Sequence, residues 1–379
     1  MKIHNRILYT LLRPLAALFL WLKFGYRYKV AQDLPENYIV LSNHTTDFDF
    51  LMVACSFPQP MLFVGSEHIA RWKLLYKFIT TFFGFITRPK GSTASSTVLD
   101  ILRALRGGSR VCLFAEGSRC WDGVTGPILP ATGKMVQRSK CALVTYRIEG
   151  GYFASPRWAG AASRRGRVLG APVNVYTAEQ LAQMSADEIN AAICRDLHED
   201  AYQRQAADPA PYRGKKLAEK LESAVFICPF CGAVDSLHSE NNTTSCSKCG
   251  GAFRYDQHGM LTDIPFETIK ELLHWQRQQV AEAAAAGVVY TAAGKLCRVE
   301  NHTEQPLTEG TITMDAEALC CSDYRFPLSS LTHLDIHGRW GLVFSTRDGY
   351  YELKIDSTCN ALKFFLLFSA CKPLNAISQ

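Results

Sequence analysis

The chain has 379 residues, of which 47% are hydrophobic, so it is long enough for two or three domains with buried cores. Its formal net charge of +6 suits an anionic membrane surface or a phosphate-bearing ligand, and it argues against a dedicated nucleic-acid-binding protein. Many of the 14 cysteines lie in apolar runs, which indicates free thiols in a reducing compartment rather than disulfides.

Residues 7–24 form a mostly apolar run within an N-terminal segment, residues 1–30, that carries basic residues at both ends. A membrane-spanning helix usually has a one-sided basic bias, and a signal peptide needs a small-residue cleavage site that Trp21-Leu22-Lys23-Phe24 does not offer. The pattern therefore favours a helix that lies in one leaflet of a membrane. A buried core helix is the alternative.

A short apolar run, Tyr38–Leu41, predicts a buried strand that leads into Asn43 and His44, with Asp49 five residues further on. Residues five apart diverge on one helix, so we expect the chain to turn between them and Asp49 to lie near a helix start. A carboxylate that binds one imidazole nitrogen leaves the other free as a general base. The alternative is a buried histidine beside a helix-capping aspartate.

Alternating strands and helices predict an α/β domain over residues 31–205, with functional residues at strand ends. One predicted strand ends at Arg88, and another, Val111–Phe114, runs into Glu116, Gly117, Ser118 and Arg119. Arginine suits phosphate because its planar fork can bind two oxygens, and glycine lets the backbone approach a ligand closely. For either arginine alone, a surface salt bridge is the alternative.

The end of this domain and the segment after it also carry local signals. Residues 185–202 predict a closing helix, with Ser185 as its N-cap and Glu188 three residues later. Proline and glycine in the following stretch predict a linker over residues 206–224.

Two C-x-x-C pairs lie within residues 225–260, and 14 residues separate them. Four thiolates at this spacing predict a zinc ribbon with a closed, structural zinc site. The predicted ligands are Cys228, Cys231, Cys246 and Cys249. A redox role is the alternative, although dithiol exchange needs only one such pair.

The last third of the chain predicts a helix over residues 261–287 and a β-rich domain over residues 288–379. Short β-runs alternate with turns, and an apolar helix follows them. Several antiparallel strands followed by one C-terminal helix resemble a pleckstrin-homology-like barrel.

Together the strand-end motifs resemble the glycerolipid acyltransferase family, whose best-known member is 1-acylglycerol-3-phosphate acyltransferase. The resemblance covers about residues 5–205. Asn43-His44 with Asp49 matches the block N-H-x-x-x-x-D, and Phe85–Arg88 matches the second block. Phe114–Arg119 matches the third, with Ala115 where the family usually has proline, and residues 144–150 form an atypical fourth block.

The resemblance implies an acyl transfer in which His44 takes the proton from a glycerol hydroxyl as that oxygen attacks an acyl thioester, while Asp49 orients the imidazole ring. It further implies that other residues of the motif blocks bind the substrate, with the two arginines on its phosphate. These are Asn43, Arg88, Glu116, Gly117, Ser118 and Arg119. Catalysis would need no metal or other cofactor.

The expected function is therefore a membrane-associated O-acyltransferase at the cytoplasmic face. It would acylate a lysophospholipid, with acyl-CoA or acyl carrier protein as the acyl donor. The preferred acceptor is 1-acylglycerol-3-phosphate, which would give phosphatidate. The alternative is a non-catalytic lipid-binding or scaffold protein that uses the zinc ribbon and C-terminal domain as interaction modules. Nucleic-acid binding is not expected, because Lys248 is the only lysine or arginine between Cys228 and Cys249.

Overall fold

The computed structural model describes residues 6–66, 84–88, 94–160, 162–300, 303–338 and 340–372. The chain divides into two units. The first comprises Met1–Arg157 and Ala161–Lys215, and the second comprises Trp158–Gly160 and Lys216–Gln379.

Short β-branched and apolar runs form a seven-stranded sheet in the first unit. Its strands are Tyr26–Tyr28 (β1), Tyr38–Ser42 (β2), Leu62–Ser66 (β3), Phe85–Arg88 (β4), Val111–Phe114 (β5), Ala142–Glu149 (β6) and Val168–Tyr176 (β7). Their order is β1-β7-β6-β2-β5-β3-β4, and only the β6–β7 pair is antiparallel. β2 is central and wholly buried, as its apolar sequence predicts.

Helices precede, connect and follow these strands. They are Arg6–Phe24 (α1), Asp49–Ser56 (α2), Ala94–Arg106 (α3), Ala131–Ser139 (α4), Gly151–Ala154 (α5), Ala178–Ala182 (α6), Ala186–Leu197 (α7) and Ala201–Ala207 (α8). Side chains such as Leu41, Val111, Leu143 and Ile193 form a core in which each buried aliphatic contributes roughly 1.5–3 kcal/mol. The predicted α/β architecture of this unit is confirmed.

The predicted closing helix over residues 185–202 is wrong at its C-terminal end. Ser185 and Glu188 form the predicted capping box, but α7 ends at Leu197 because His198 adopts an extended conformation. Asp200 then caps the separate helix α8 by accepting from the amide of Gln203 at 3.1 Å.

The segment predicted as a linker, residues 206–224, contains the division between the two units, although several of its side chains are buried. Ala210 and Tyr212 are buried in the first unit, and Leu217, Ala218 and Leu221 are buried in the second. The division between the units falls at Lys215–Lys216, and a 3₁₀ turn, Leu221–Ser223, follows it. Proline and glycine mark the break in helical structure here, but the apolar side chains around it pack.

The second unit begins with a small antiparallel sheet of order β11-β10-β9-β8. Its strands are Leu237–Glu240 (β8), Thr243–Cys246 (β9), Ala252–Tyr255 (β10) and Leu261–Thr262 (β11). A helix, Ile269–Ala285 (α9), follows, and its buried Gln276 accepts from the amides of Phe226 and Ile227 at 2.8 and 3.1 Å. This amide ties the segment before the first C-x-x-C pair to α9.

A second antiparallel sheet of seven strands and a final helix, Leu362–Cys371 (α10), complete this unit. The strands are Tyr290–Glu300 (β12), Thr303–Met314 (β13), Ala318–Cys321 (β14), Tyr324–Pro327 (β15), His333–His337 (β16), Gly341–Thr346 (β17) and Gly349–Ile355 (β18). Their order is β15-β14-β13-β12-β18-β17-β16. The β-rich composition of the C-terminal third is confirmed, while its likeness to a pleckstrin-homology barrel stays a prediction.

Candidate active site

The candidate site lies at the carboxyl edge of the first sheet. β2 pairs in parallel with both β5 and β6, so the residues that follow these three strands emerge at one edge. His44 follows β2, Glu116 follows β5 and Gly150 follows β6. The topology thus brings together motifs that are up to about 100 residues apart in the sequence.

His44 and Asp49 meet as their spacing predicts. The His44 Nδ1 atom lies 2.9 Å from Asp49 Oδ2. The chain turns between them, and Asp49 is the first residue of α2. Its fully buried carboxylate also accepts from the backbone amides of Thr45 at 2.5 Å and Thr46 at 2.9 Å. The aspartate therefore organises both the loop and the imidazole.

This arrangement leaves the other side of the imidazole available for chemistry. With Nδ1–H donating to the carboxylate, Nε2 carries the lone pair. The His44 side chain is 23% exposed, and its ring stacks on Phe114 with centroids 4.7 Å apart. Held by Asp49 and Phe114 and still partly exposed, the ring can act as a general base towards a hydroxyl group.

Asn43 has a different local role from the one its motif implies. Its side-chain amide donates to the carbonyl of Ile148 at 2.9 Å and accepts from the amide of Ile148 at 2.8 Å. Asn43 is also buried. Both ends of its amide are thus used to tie the loop after β2 to β6, while substrate contact by Asn43 stays a prediction.

Glu116 joins two loops through its carboxyl group. Oε1 accepts from the backbone amide of His44 and Oε2 from that of Gly126, both at 2.6 Å. Burial raises the pKa of Glu116 to about 8, although these two amides oppose the shift. Glu116 therefore positions the backbone of the catalytic candidate.

The next two residues shape the turn after β5. Gly117 has φ +73°, a left-handed conformation that favours glycine, and its amide donates to Phe114 at 3.1 Å. Ser118 follows on the same turn and is half-buried.

Arg119 is engaged by the protein itself rather than open to solvent. Its side chain is 9% exposed, and Nη1 lies 2.9 Å from Asp47 Oδ1. Nε donates to the carbonyl of Thr45 at 3.1 Å, and Nη2 donates to the carbonyl of Ser155. Arg119 thus braces the loop between His44 and Asp49, and its predicted phosphate contact stays a prediction.

Arg88 ends β4, where it pairs in register with Ser66 of β3. Because β3 and β4 run parallel to β5, Arg88 reaches the same sheet edge as His44. Its side chain lies outside the described residues, so the predicted phosphate contact of Arg88 stays a prediction.

Sequence reasoning missed several residues that hold the loop. Thr46 donates its hydroxyl to Asp49 Oδ1 at 2.7 Å, and a β-carbon on Gly151 would come within 2.1 Å of Thr45 Oγ1. Hydroxyl residues just before a helix are a recognisable capping signal. The stacking of Phe114 and the close approach of Gly151 depend on strand pairing, so no local pattern announces them.

The cysteines near the site are not activated nucleophiles. Burial raises the pKa of both the Cys112 and the Cys120 thiols, which keeps them protonated. The chemistry of this site therefore depends on the imidazole.

In the second unit, the four predicted metal ligands converge. Cys228, Cys231, Cys246 and Cys249 place their sulfur atoms within 4.8 Å of one another. The Cys228–Cys249 and Cys231–Cys246 sulfur pairs are 3.8 and 3.9 Å apart. A tetrahedron with Zn–S bonds of about 2.3 Å has edges of about 3.8 Å, so the cluster can hold a metal ion of that size.

Comparisons with known proteins identify a family model and several solved structures that are similar to parts of this chain. Residues 26–149 match the family model described as Acyltransferase. The solved 1-acyl-sn-glycerophosphate acyltransferase PlsC of Thermotoga maritima matches with TM-score 0.41 and 14% identity, covering 50% of this chain and 78% of that one. The N-terminal pleckstrin-homology domain of human ARAP2 matches with TM-score 0.19 and 14% identity, covering 24% of this chain and 85% of that one. No curated protein sequence matches.

Residues 26–149 include β1 to β6 and hold the imidazole–carboxylate pair. This segment is an acyltransferase domain, and the family resemblance predicted from the motif blocks is confirmed for it.

Proposed function

We propose that this protein is a membrane-associated O-acyltransferase that moves a fatty acyl group from a thioester to the hydroxyl group of a lysophospholipid. The observation that carries the proposal is the partly exposed His44 ring, whose Nδ1 lies within hydrogen-bond distance of a buried carboxylate. The preferred acceptor is 1-acylglycerol-3-phosphate, which would give phosphatidate. The acyl donor is acyl-CoA or acyl carrier protein.

In the proposed reaction, His44 Nε2 removes the proton of the glycerol hydroxyl as that oxygen attacks the thioester carbonyl carbon. The carbon–sulfur bond breaks, and the imidazolium returns the proton to the departing thiolate. Asp49 stabilises the imidazolium and holds the ring at 2.9 Å from its own oxygen. General-base help of this kind contributes about 10²–10⁴-fold in rate.

The two arginines divide the remaining work. Arg88 binds the acceptor phosphate from the end of β4 and holds the hydroxyl near the thioester carbon. Arg119, with its three internal partners, keeps the His44–Asp49 loop in shape. Acceptor affinity therefore depends on Arg88, and the geometry of the base depends on Arg119.

Helix α1 supports the membrane part of the proposal, and it is long and apolar enough to cross a membrane. It contacts its own unit near both ends: the Tyr9 hydroxyl donates to the carbonyl of Ala54 at 2.9 Å, and the Phe24 and Phe48 ring centroids are 5.5 Å apart. The opposite face exposes Ile7, Leu11, Leu15, Leu18 and Leu22. A helix bound to its domain at both ends suits a position in one leaflet better than a crossing.

An apolar groove of about 240 Å³ lies between α1 and α2, and α2 begins at Asp49. Leu12, Phe19, Leu51 and Ala54 are among its lining residues. Such a groove suits an alkyl chain whose reacting end lies at the start of α2.

The four-cysteine cluster suits a structural zinc ion in the second unit. Cys228, Cys231, Cys246 and Cys249 would supply all four ligands and leave no open position for chemistry. When bound, zinc would hold the two C-x-x-C turns together. The abundance of free thiols supports a location at the cytoplasmic face.

The test is acyl transfer by the purified full chain, with labelled acyl thioesters offered to a panel of lysophospholipids. The His44→Ala variant should lose about 10²–10⁴-fold in rate while it keeps its melting temperature and its binding to vesicles. His238→Ala, an exposed histidine in the second unit, is the matched control and should retain wild-type turnover. Unchanged turnover by His44→Ala would refute the proposal, and vesicle binding without any turnover in the wild type would favour the non-catalytic alternative.

A further inference from the structure

The loop before β7 is attached to the C-terminal end of α1. The amide of Gly166 donates to the carbonyl of Phe24 at 3.0 Å. The guanidinium carbon of Arg165 lies 4.7 Å from the centroid of the Trp21 indole ring, which is cation–π contact. A basic side chain is thus held beside an aromatic one at the end of the apolar helix.

Gly25 makes this attachment possible. It has φ +75°, and a β-carbon there would lie 2.2 Å from the carbonyl oxygen of Gly166. Any other residue would be strained in its backbone and would also push the loop away. The position of Arg165 beside α1 is therefore determined by the backbone and not by a surface rotamer alone.

Arg165 also forms a backbone pair with Arg213. Each amide donates to the other residue's carbonyl at 2.8 Å, as in an antiparallel bridge. Residues directly opposite each other in such a bridge project to the same side, and like charges in that position are unfavourable. Both side chains belong to exposed residues, and neither has a carboxylate partner among the described residues.

Neighbouring arginines of the same unit are neutralised instead. Arg167 pairs with Asp208 at 2.8 Å, and Arg204 pairs with Glu199. Because Arg167 and Arg204 have carboxylate partners and Arg165 and Arg213 have none among the described residues, the latter two form a local excess of positive charge. An external anion would relieve the repulsion between them.

The surroundings of this arginine pair indicate where the anion comes from. Leu18, Trp21 and Leu22 are 52%, 42% and 56% exposed, and they extend the apolar stripe of α1 to the end beside Arg165. Tryptophan is enriched at the depth of lipid headgroups. An apolar stripe that ends at a tryptophan and two unpaired arginines matches the change from acyl chains to phosphates at a membrane surface.

We propose that Arg165 and Arg213 bind phosphate groups of anionic phospholipids beside Trp21, so that membrane binding by α1 depends on anionic lipid. This inference rests on the membrane association in the proposed function. It is independent of the acyl-transfer chemistry, because it concerns the bilayer and not the acceptor in the active site.

The test is co-sedimentation of the full chain with vesicles of phosphatidylcholine alone or mixed with phosphatidylglycerol. Wild type should bind the mixed vesicles more tightly, and the preference should weaken at high salt. Each basic residue near such a surface contributes about fivefold in partitioning, so Arg165→Gln/Arg213→Gln should bind about 30-fold more weakly. The matched control is Arg106→Gln/Arg138→Gln, with the same loss of charge on exposed positions of α3 and α4.

Equal binding of the mixed vesicles by wild type and Arg165→Gln/Arg213→Gln would overturn the proposal, as would an equal loss in the control. At the same ionic strength, inorganic phosphate should displace the protein from the mixed vesicles no more than salt does. Stronger displacement by phosphate would indicate a free-anion site instead. If the glutamine variant does not melt cooperatively, Arg165→Lys/Arg213→Lys replaces it. The lysine variant should keep its preference for anionic vesicles, and loss of that preference would contradict the proposal.

Discussion

Asp49 offers the sharpest test of the candidate site, because one carboxylate supports both the loop and the base. It accepts from His44 Nδ1 and from the amides of Thr45 and Thr46. Substitution by alanine removes these three contacts and also those from the Thr45 and Thr46 hydroxyl groups. Substitution by asparagine keeps one acceptor oxygen and the side-chain shape but removes the charge.

The expected magnitudes follow from these contacts. A hydrogen bond to a charged group contributes about 1.5–3 kcal/mol, so loss of both amide contacts in Asp49→Ala should lower the free energy of unfolding by about 3–6 kcal/mol. That is a large part of a typical domain stability of about 5–15 kcal/mol. Asp49→Asn should lose about half as much, because one oxygen still accepts.

Asp49→Asn should lose proportionally more kcat than stability. Asp49→Asn keeps a folded loop but cannot stabilise the imidazolium, so its kcat should fall towards that of His44→Ala, about 10²–10⁴-fold below wild type. The free energy of unfolding comes from urea denaturation, and kcat comes from labelled acyl transfer at saturating substrate.

Asp100→Asn is the control for both measurements. Asp100 forms an exposed pair with Arg103 at 3.0 Å, and such surface pairs contribute about 0–1 kcal/mol. Two results would refute the reasoning: Asp49→Ala as stable as Asp100→Asn, or Asp49→Asn with wild-type kcat.

Three further predictions concern other parts of the molecule. Glu116→Gln should gain stability relative to wild type as pH rises from about 4.5 to about 8. The pKa of Glu116 is raised in the folded state, so the wild type loses stability through this pH window and the glutamine variant does not. Melting curves at several pH values measure the difference in stability. Arg119→Lys should lower both the melting temperature and kcat, since an ammonium group cannot reach three partners in the guanidinium geometry. Cys231→Ser should reduce the zinc content per chain measured by elemental analysis and should melt the second unit at lower temperature.

Each of these predictions has a control and a contradicting outcome. Glu179→Gln, at an exposed helix start, should show no relative gain towards pH 8, and a flat difference for Glu116→Gln would refute the linkage. If Arg119→Lys kept wild-type stability and kcat and only raised the KM for the acceptor, the result would indicate that Arg119 binds the acceptor phosphate. Cys359→Ser, a cysteine outside the cluster, should keep the wild-type zinc content, and unchanged zinc in Cys231→Ser would exclude the four-thiolate site.

Local patterns in the sequence account for much of the first unit. The apolar run before Ser42 predicts β2, and Ser185 with Glu188 predicts the start of α7. The five-residue spacing of His44 and Asp49 predicts a turn and a helix start, which the structure contains. These features could be predicted because each depends on a few neighbouring residues.

Features that local patterns do not reveal depend on packing between distant segments. Proline and glycine after α8 indicate a linker, yet Leu217 and Leu221 are buried against residues that local patterns do not identify. The internal contacts of Arg119 could not be predicted for the same reason, because its partners Asp47 and Ser155 reach it only once the sheet has formed.

The sequence by itself determined the chemistry that is available: an imidazole with a carboxylate five residues away, and four thiols in two C-x-x-C pairs. Only the tertiary structure decided that Arg119 binds the loop between His44 and Asp49, while Arg165 and Arg213 are exposed. An isolated backbone bridge joins Arg165 to Arg213, and the folded sheet brings Arg119 to Thr45. Contacts between residues tens of positions apart leave no trace in either local segment.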